Sequence, residues 1–241
     1  MLYNEINGDV MEFERLELLI GSDNLNKLKN KTVLVLGVGG VGGYVVESLA
    51  RSAIGHLILV DFDKVDVTNI NRQIIADYDT VGKLKVDCFK ERIKRININC
   101  VVDTYPFFYG EDNREIIFNQ HIDYIVDCCD SLNSKVIIIE EAIKRGIKII
   151  SSMGTGNKFC PELLKVSKLK NTCYDPLAKK LRYLLKDNKE ALNIKVIYSE
   201  EVPVKGLEKI GSTSFVPSSS GLLLSSVVIR DFLEENKNEI Y

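Results

Sequence analysis

Gly37-Val38-Gly39-Gly40-Val41-Gly42 follows the apolar run Thr32 to Leu36 and opens a segment in which Tyr44, Val45, Val46, Leu49 and Ala50 recur at helical spacing. A second apolar run, His56 to Val60, then ends on Asp61. Strand, glycine turn, helix, strand and acid in that order describe a nucleotide-binding unit. The glycines let the backbone approach a phosphate, the helix N-terminus offers unpaired N–H groups and the positive end of a dipole, and the acid stands where a ribose is held. The glycine string alone is a weak signal, since a tight strand-to-helix turn has the same composition; its flanks make it specific.

The same alternation continues along the chain and predicts an α/β fold, a Rossmann-like, doubly wound, mainly parallel sheet. A helix is expected over Phe13 to Leu28, an irregular stretch over Asp63 to Thr80, and helices over Gly82 to Arg95, Asp112 to Asn119 and Ser134 to Arg145. Strands are expected at Cys100 to Tyr105, Tyr124 to Val126 and Lys148 to Ser152. Past Met153 the rhythm changes. Gly154 and Gly156 mark a flexible crossing, Leu163 to Leu169 alternates like a strand, and Asp175-Pro176 starts a helix through Leu185. A strand at Ile194 to Ser199 and a serine-glycine turn then lead into a last apolar helix, Leu222 to Leu233. The expected organisation is an N-terminal helical segment (1–30), a Rossmann-like nucleotide-binding core (31–153) and a C-terminal subdomain (154–241) whose strands and helices extend the same domain.

With 241 residues, 45% of them hydrophobic, the chain is long enough to bury one such domain. A formal charge of −2 gives no global nucleic-acid signature, so an RNA partner must meet a local patch. Candidate patches are Lys83, Lys85, Lys90, Arg92, Lys94 and Arg95, and a second group of Lys165, Lys168, Lys170, Lys179, Lys180 and Arg182. Solvated helix and strand faces are the ordinary reading of both. The six cysteines contain no C-x-x-C pair, which argues for free, mostly buried thiols rather than zinc. The two histidines, His56 and His121, flank strands and make a Ser-His-Asp apparatus hard to assemble. Met1 to Asp9 lacks the basic-then-apolar order of a signal peptide, and no apolar run approaches the roughly 18 residues of a membrane span. A cytoplasmic protein is expected.

Dehydrogenases carry the same glycine turn, so the chemistry is chosen downstream. After Asp61-Phe62-Asp63 come Thr68-Asn69-Ile70-Asn71-Arg72-Gln73, then Val81-Gly82-Lys83-Leu84-Lys85, then Asp127-Cys128-Cys129-Asp130. An asparagine and an arginine just past the acid, a lysine opening the next helix and an aspartate after a later strand form a cationic, metal-capable cup for a triphosphate. Nicotinamide chemistry needs no such cup. From Phe13 to about Met153 the sequence resembles the ubiquitin-activating-enzyme-like adenylating superfamily, the ThiF/MoeB/HesA enzymes.

That resemblance implies ATP and Mg2+ as cofactors. It implies that Gly37, Gly39, Gly40 and Gly42 pack against the nucleotide, Asp61 binds ribose, Asn69 and Arg72 hold phosphates, Lys85 reaches the phosphate chain, and Asp130, with Ser131 beside it, ligates magnesium. Asp127 competes with Asp130 for the metal. Arg15 matches an arginine that reaches the γ-phosphate from a partner subunit, which implies a homodimer; a helical salt bridge with Glu12, Glu14 or Glu17 is its alternative. Arg72, Lys85, Asp130 and Arg15 are the implied catalytic set.

The second half resembles the tRNA threonylcarbamoyladenosine dehydratase group. Met153-Gly154-Thr155-Gly156-Asn157 matches its glycine crossing, Asp175-Pro176-Leu177-Ala178-Lys179-Lys180-Leu181-Arg182 its helix start, and Val196 to Glu201 and Gly211 to Pro217 its later segments. The implied activity is adenylation of a carboxylate on tRNA followed by ring closure, with loss of AMP and pyrophosphate. Lys179, Lys180 and Arg182 are then candidate tRNA contacts, and a sulfur-transfer accessory protein a further possible partner. A sulfur-carrier activator is the main alternative, although that subfamily's paired C-x-x-C motifs are absent, and Cys173 is the sole well-placed thioester candidate, with burial as its other reading. A nicotinamide oxidoreductase or nucleotide-sensing module is the third.

Overall fold

The computed structural model describes residues 12–234; the Met1 to Asp9 segment and the outermost parts of the 1–30 and 154–241 regions lie outside them. The first helix is broken in two. Gly21 takes φ +82° and ψ 158°, an extended left-handed geometry that ends α1 (Glu14–Ile20) and starts α2 (Ser22–Lys29). Then come β1 (Thr32–Leu36), α3 (Gly42–Arg51) and β2 (His56–Val60).

Further on, α4 (Lys85–Lys94) begins three residues later than its pattern suggests. Gly82 and Lys83 exchange backbone hydrogen bonds with Val65, so this short antiparallel bridge takes the groups a helical turn would need. After β3 (Val101–Tyr105), the helix expected at Asp112 to Asn119 is two separate 3-10 turns, Glu111–Asn113 and Ile116–Phe118. Asn113 explains this, because its side chain accepts from the Gly110 N–H and donates to the Phe108 carbonyl, competing locally with a helix.

β4 (Tyr124–Asp127), α5 (Leu132–Arg145), β5 (Lys148–Ser152) and β6 (Leu164–Lys168) follow. α6 (Pro176–Leu184) has Asp175 as its N-cap, accepting from the Ala178 N–H at 2.9 Å. A short α7 (Lys189–Asn193), capped by Asn188, precedes β7 (Lys195–Ser199) and is not visible in the apolar pattern. α8 (Phe215–Glu234) starts seven residues before the expected Leu222, so the serine-glycine stretch is helical. Pro217 falls in its first turn, where a missing N–H costs nothing, and the Ser225 hydroxyl bonds back to the Gly221 carbonyl.

Among the described residues seven strands form one sheet in the order β3-β2-β1-β4-β5-β7-β6, parallel except for β6, which runs antiparallel at the edge. Every β1 residue is buried, as a parallel sheet covered on both faces requires. Val33 and Val35 point to the face covered by α3, α4 and α8; Leu34 and Leu36 point to the face covered by α5, α6 and α7. Strand alternation thus divides one core into two layers. Their common C-terminal edge carries a broad cleft.

Candidate functional site

The cleft has a volume of about 910 Å3 and lies beyond the ends of β2, β1, β4 and β5, where ligands bind in doubly wound sheets. Its floor is the glycine turn. Gly37 has φ +81°, and a Cβ on it would stand 2.9 Å from the Cys129 backbone; a Cβ on Gly42 would stand 1.8 Å from the Gly37 carbonyl oxygen. These two glycines close the turn. At Gly39 and Gly40 an added Cβ would meet nothing nearer than 3.6 Å and 3.4 Å, so their bare backbone faces the open cleft. Gly37, Gly39 and Gly40 line it, whereas Gly42 packs α3 against the turn without lining it.

Asp61 directly follows β2 on the cleft wall and is 9% exposed. One of its oxygens accepts from the Val38 N–H at 2.8 Å and the other from the Asp63 N–H at 2.9 Å, so its orientation is fixed by the turn it serves. Burial raises its pKa above the usual carboxylate range, against the lowering effect of Lys85. Asn69 caps a 3-10 turn (Val67–Asn69), accepting from the Asp66 N–H. That turn aims Arg72 into the cleft, with Nη1 donating to the Thr68 carbonyl and to Asn71 Oδ1. Gln73 is next to it, 7% exposed, and its Oε1 has no hydrogen-bond partner among the described residues.

Lys85 is buried and its ammonium donates to Asp63 Oδ2 at 2.7 Å, leaving two N–H bonds for another acceptor. Asp63 had no assigned role in the sequence, although it belongs to the same Asp-Phe-Asp triplet.

The two aspartates that compete for a metal are separated by burial. Asp127 is wholly buried, its Oδ2 accepting from Lys135 at 2.9 Å and Ser151 at 2.6 Å and its Oδ1 from the Cys129 N–H at 3.2 Å. Burial disfavours the charge on Lys135, but Asp127 outweighs it and the pKa is raised. Asp130 is exposed and lines the cleft, with Ser131 capping α5 behind it. Among the described residues no group of three or more His, Cys, Asp or Glu side chains is placed to hold a metal. A single open carboxylate suits magnesium bound jointly with phosphate oxygens and water.

Arg15 is exposed on α1, is not among the residues lining the cleft, and joins no ion pair among the described residues. Lys179 and Lys180 are exposed on α6, whereas Arg182 is turned inward onto Thr172. Arg92 is taken up by Glu47 and Lys165 by Glu200. Two cysteines are buried and four are half-buried, fewer hidden than expected. Cys128 and Cys129 line the cleft, yet burial raises both thiol pKa values, which opposes thiolate formation. Cys173 is half-buried against the Tyr198 hydroxyl.

The far wall, formed by Gly154, Thr155, Lys158 and Asp175, carries a buried Lys158–Asp175 ion pair that no motif in the chain announces. Residues 13–213 match the ThiF family. The chain is 40% identical to the Bacillus subtilis tRNA threonylcarbamoyladenosine dehydratase over 93% of this chain and 95% of that protein. It is 31% identical to a crystal structure of E. coli tRNA N6-threonylcarbamoyladenosine dehydratase, TcdA, in complex with AMP, with a TM-score of 0.90 over 95% of this chain and 96% of that one. The same E. coli enzyme in complex with ATP matches at 30% identity, with a TM-score of 0.90 over 95% and 97%.

Proposed function

Because the chain belongs to the ThiF family, we propose that it is an ATP-dependent tRNA threonylcarbamoyladenosine dehydratase. The observation that carries this reading is the convergence of Gly40, Asp61, Arg72, Lys85 and Asp130 on one cleft at the C-terminal edge of one sheet, in a chain whose near full-length relatives are dehydratases, one of them solved with ATP and with AMP. The sulfur-carrier alternative is not favoured by these relatives.

In this reading Asp61 holds the ribose, the open backbone at Gly39 and Gly40 receives phosphate, and Asn69, Arg72 and Lys85 neutralise the triphosphate. Asp130 would hold a magnesium ion, which screens phosphate charge when bound. A carboxylate oxygen of the threonylcarbamoyl group attacks the α-phosphorus and pyrophosphate leaves. The neighbouring carbamoyl group then attacks the activated carbonyl, and AMP leaves carrying the former carboxylate oxygen. The sum is ring closure with loss of one water's atoms. Positioning and fixed charge do the catalytic work, and the attacking groups belong to the substrate.

Residues 31–153 then supply the ATP chemistry and 154–241 the substrate and dimer side, with Lys179 and Lys180 as tRNA phosphate contacts. A homodimer would let Arg15 of one subunit reach the γ-phosphate of the other. α1 contributes no buried residue to its own chain and leaves Leu18 and Leu19 exposed, a surface suited to a second copy. No helix among the described residues is long and apolar enough to cross a membrane. The proposed enzyme is cytoplasmic, with a sulfur-transfer protein as its accessory partner. Incubation with ATP, magnesium and threonylcarbamoyladenosine-containing tRNA should release AMP and lighten the nucleoside by one water. ATP-pyrophosphate exchange only with a Gly-Gly-tailed carrier protein, and no change in nucleoside mass, would overturn the reading.

A further inference from the structure

The order of strand ends along the cleft divides it. β2, β1, β4 and β5 are consecutive neighbours in the sheet, and they deliver Asp61, the glycine turn, Asp130 and the Gly154 crossing in that order. A nucleotide laid from ribose acid to metal acid occupies the first three positions. The end of the cleft beside β5 and α6 is left for the acyl substrate, whose reacting group is a carboxylate. Removing that carboxylate from water requires a cation or several N–H donors.

Two lysines line the cleft on that side, Lys158 and Lys205, and Lys158 is the buried one, fixed in place by its partners. Lys158 lines the cleft with its side chain 1% exposed, donating to the Gly154 carbonyl at 2.7 Å and to Asp175 Oδ2 at 3.0 Å. An ammonium has three donors, so one N–H is left over. The Asp175 carboxylate is itself held twice, by Lys158 and, as the α6 N-cap, by the Ala178 N–H. An anion arriving beside it therefore meets a compensated carboxylate, an ammonium with a spare donor and the positive end of α6.

We infer that Lys158 is the residue that receives the substrate carboxylate and selects for it, with Asp175 as the positioning residue that fixes the ammonium. The inference rests on the dehydratase reading and adds a substrate-side residue to it. Asp175 also begins the helix carrying Lys179 and Lys180, so the docking of tRNA phosphates and the placing of the carboxylate share one rigid element.

The test is the double variant Lys158→Gln/Asp175→Asn, which removes both charges together and keeps a donor for the Gly154 carbonyl and a good N-cap for α6. Binding of free threonylcarbamoyladenosine and of its methyl ester is measured for wild type and variant, with KM for modified tRNA and Kd for ATP. The wild type should prefer the acid over the ester by about tenfold or more, the worth of one charge-assisted hydrogen bond. The variant should bind acid and ester within about twofold of each other and show KM for tRNA raised about tenfold, with Kd for ATP within about twofold. A variant that keeps the acid preference and the KM would reduce the pair to a structural staple and overturn the inference. So would a wild type indifferent to esterification, a measurement that does not depend on the variant folding. A wild type that yields no AMP and no lightened nucleoside from modified tRNA would instead sink the dehydratase reading itself.

Discussion

Two aspartates three residues apart, one ending β4 and one in the loop after it, differ in depth, and in the proposed function burial assigns each its work. Asp127 and Lys135 form an ion pair with both side chains 0% exposed, tying the end of β4 to α5 and, through Ser151, to β5. Replacing Asp127 by Ala would strand a charged lysine in the core, with an expected loss of about 3–5 kcal/mol of unfolding free energy in urea titrations. Asp130 is exposed and ties nothing together, so Asp130→Ala should change stability by less than about 0.5 kcal/mol while lowering adenylation at least about a hundredfold, the scale of charge stabilisation lost with a metal ligand. The reverse pattern, a stable Asp127→Ala protein that has lost its magnesium dependence, would exchange the two roles. In the sequence both residues were metal candidates, because a motif gives positions along the chain and not depth. Asp63 and Lys158 were hidden for a related reason: each acquires its meaning from a partner, Lys85 or Asp175, that lies 22 or 17 residues away.

At the level of elements, the strands were readable because burial on both faces leaves continuous apolar runs, and β1, β2 and β5 fall where those runs are. Boundaries set by local polar chemistry were not. The start of α4 is delayed by the bridge to Val65, Gly21 divides the first helix, and the first seven residues of α8 read as a turn because serine and glycine are common in turns. Gly221 shows why a glycine sits within that helix. A Cβ there would lie 2.4 Å from the Val41 carbonyl oxygen and 2.9 Å from the Tyr44 Cβ, so its bareness lets α8 lie directly on the start of α3. Two effects then oppose each other in Gly221→Ala. Helix propensity favours alanine by about 1 kcal/mol, and forcing an extra methyl into a packed contact costs about 1–3 kcal/mol. The overlap is with backbone, which cannot swing away, so a net destabilisation of about 1 kcal/mol or more is expected in chemical denaturation, with weaker ATP binding because Val41 belongs to the glycine turn. A more stable variant would show that propensity dominates and that the two helices can part.

Across the whole molecule, one wall of the cleft comes from residues before Met153 and the other from residues after it, joined because β7 returns to pair with β5 and places β6 at the edge. The first wall is legible along the chain as a run of motifs; the second depends on a crossing and a strand return that periodicity alone does not fix. Neither wall contains Arg15. It projects from α1, a helix with no buried residue of its own and with Leu18 and Leu19 75% and 82% exposed, so this element leaves apolar surface uncovered by its own chain. If a second copy covers it, each active site combines Asp130 of one subunit with Arg15 of the other, since a two-fold interface repeats every contact reciprocally. Arg15→Ala and Asp130→Ala proteins should each be inactive alone. Mixed after denaturation and refolding together, half of the dimers should be heterodimers, each with one site that has both residues intact, and activity should return to about a quarter of the wild-type value. If Arg15 instead acts within its own chain, every site in the mixture lacks one residue or the other, and mixing restores nothing. A mass measurement in solution showing only monomers, with Arg15→Ala still impaired, would likewise place its action in cis.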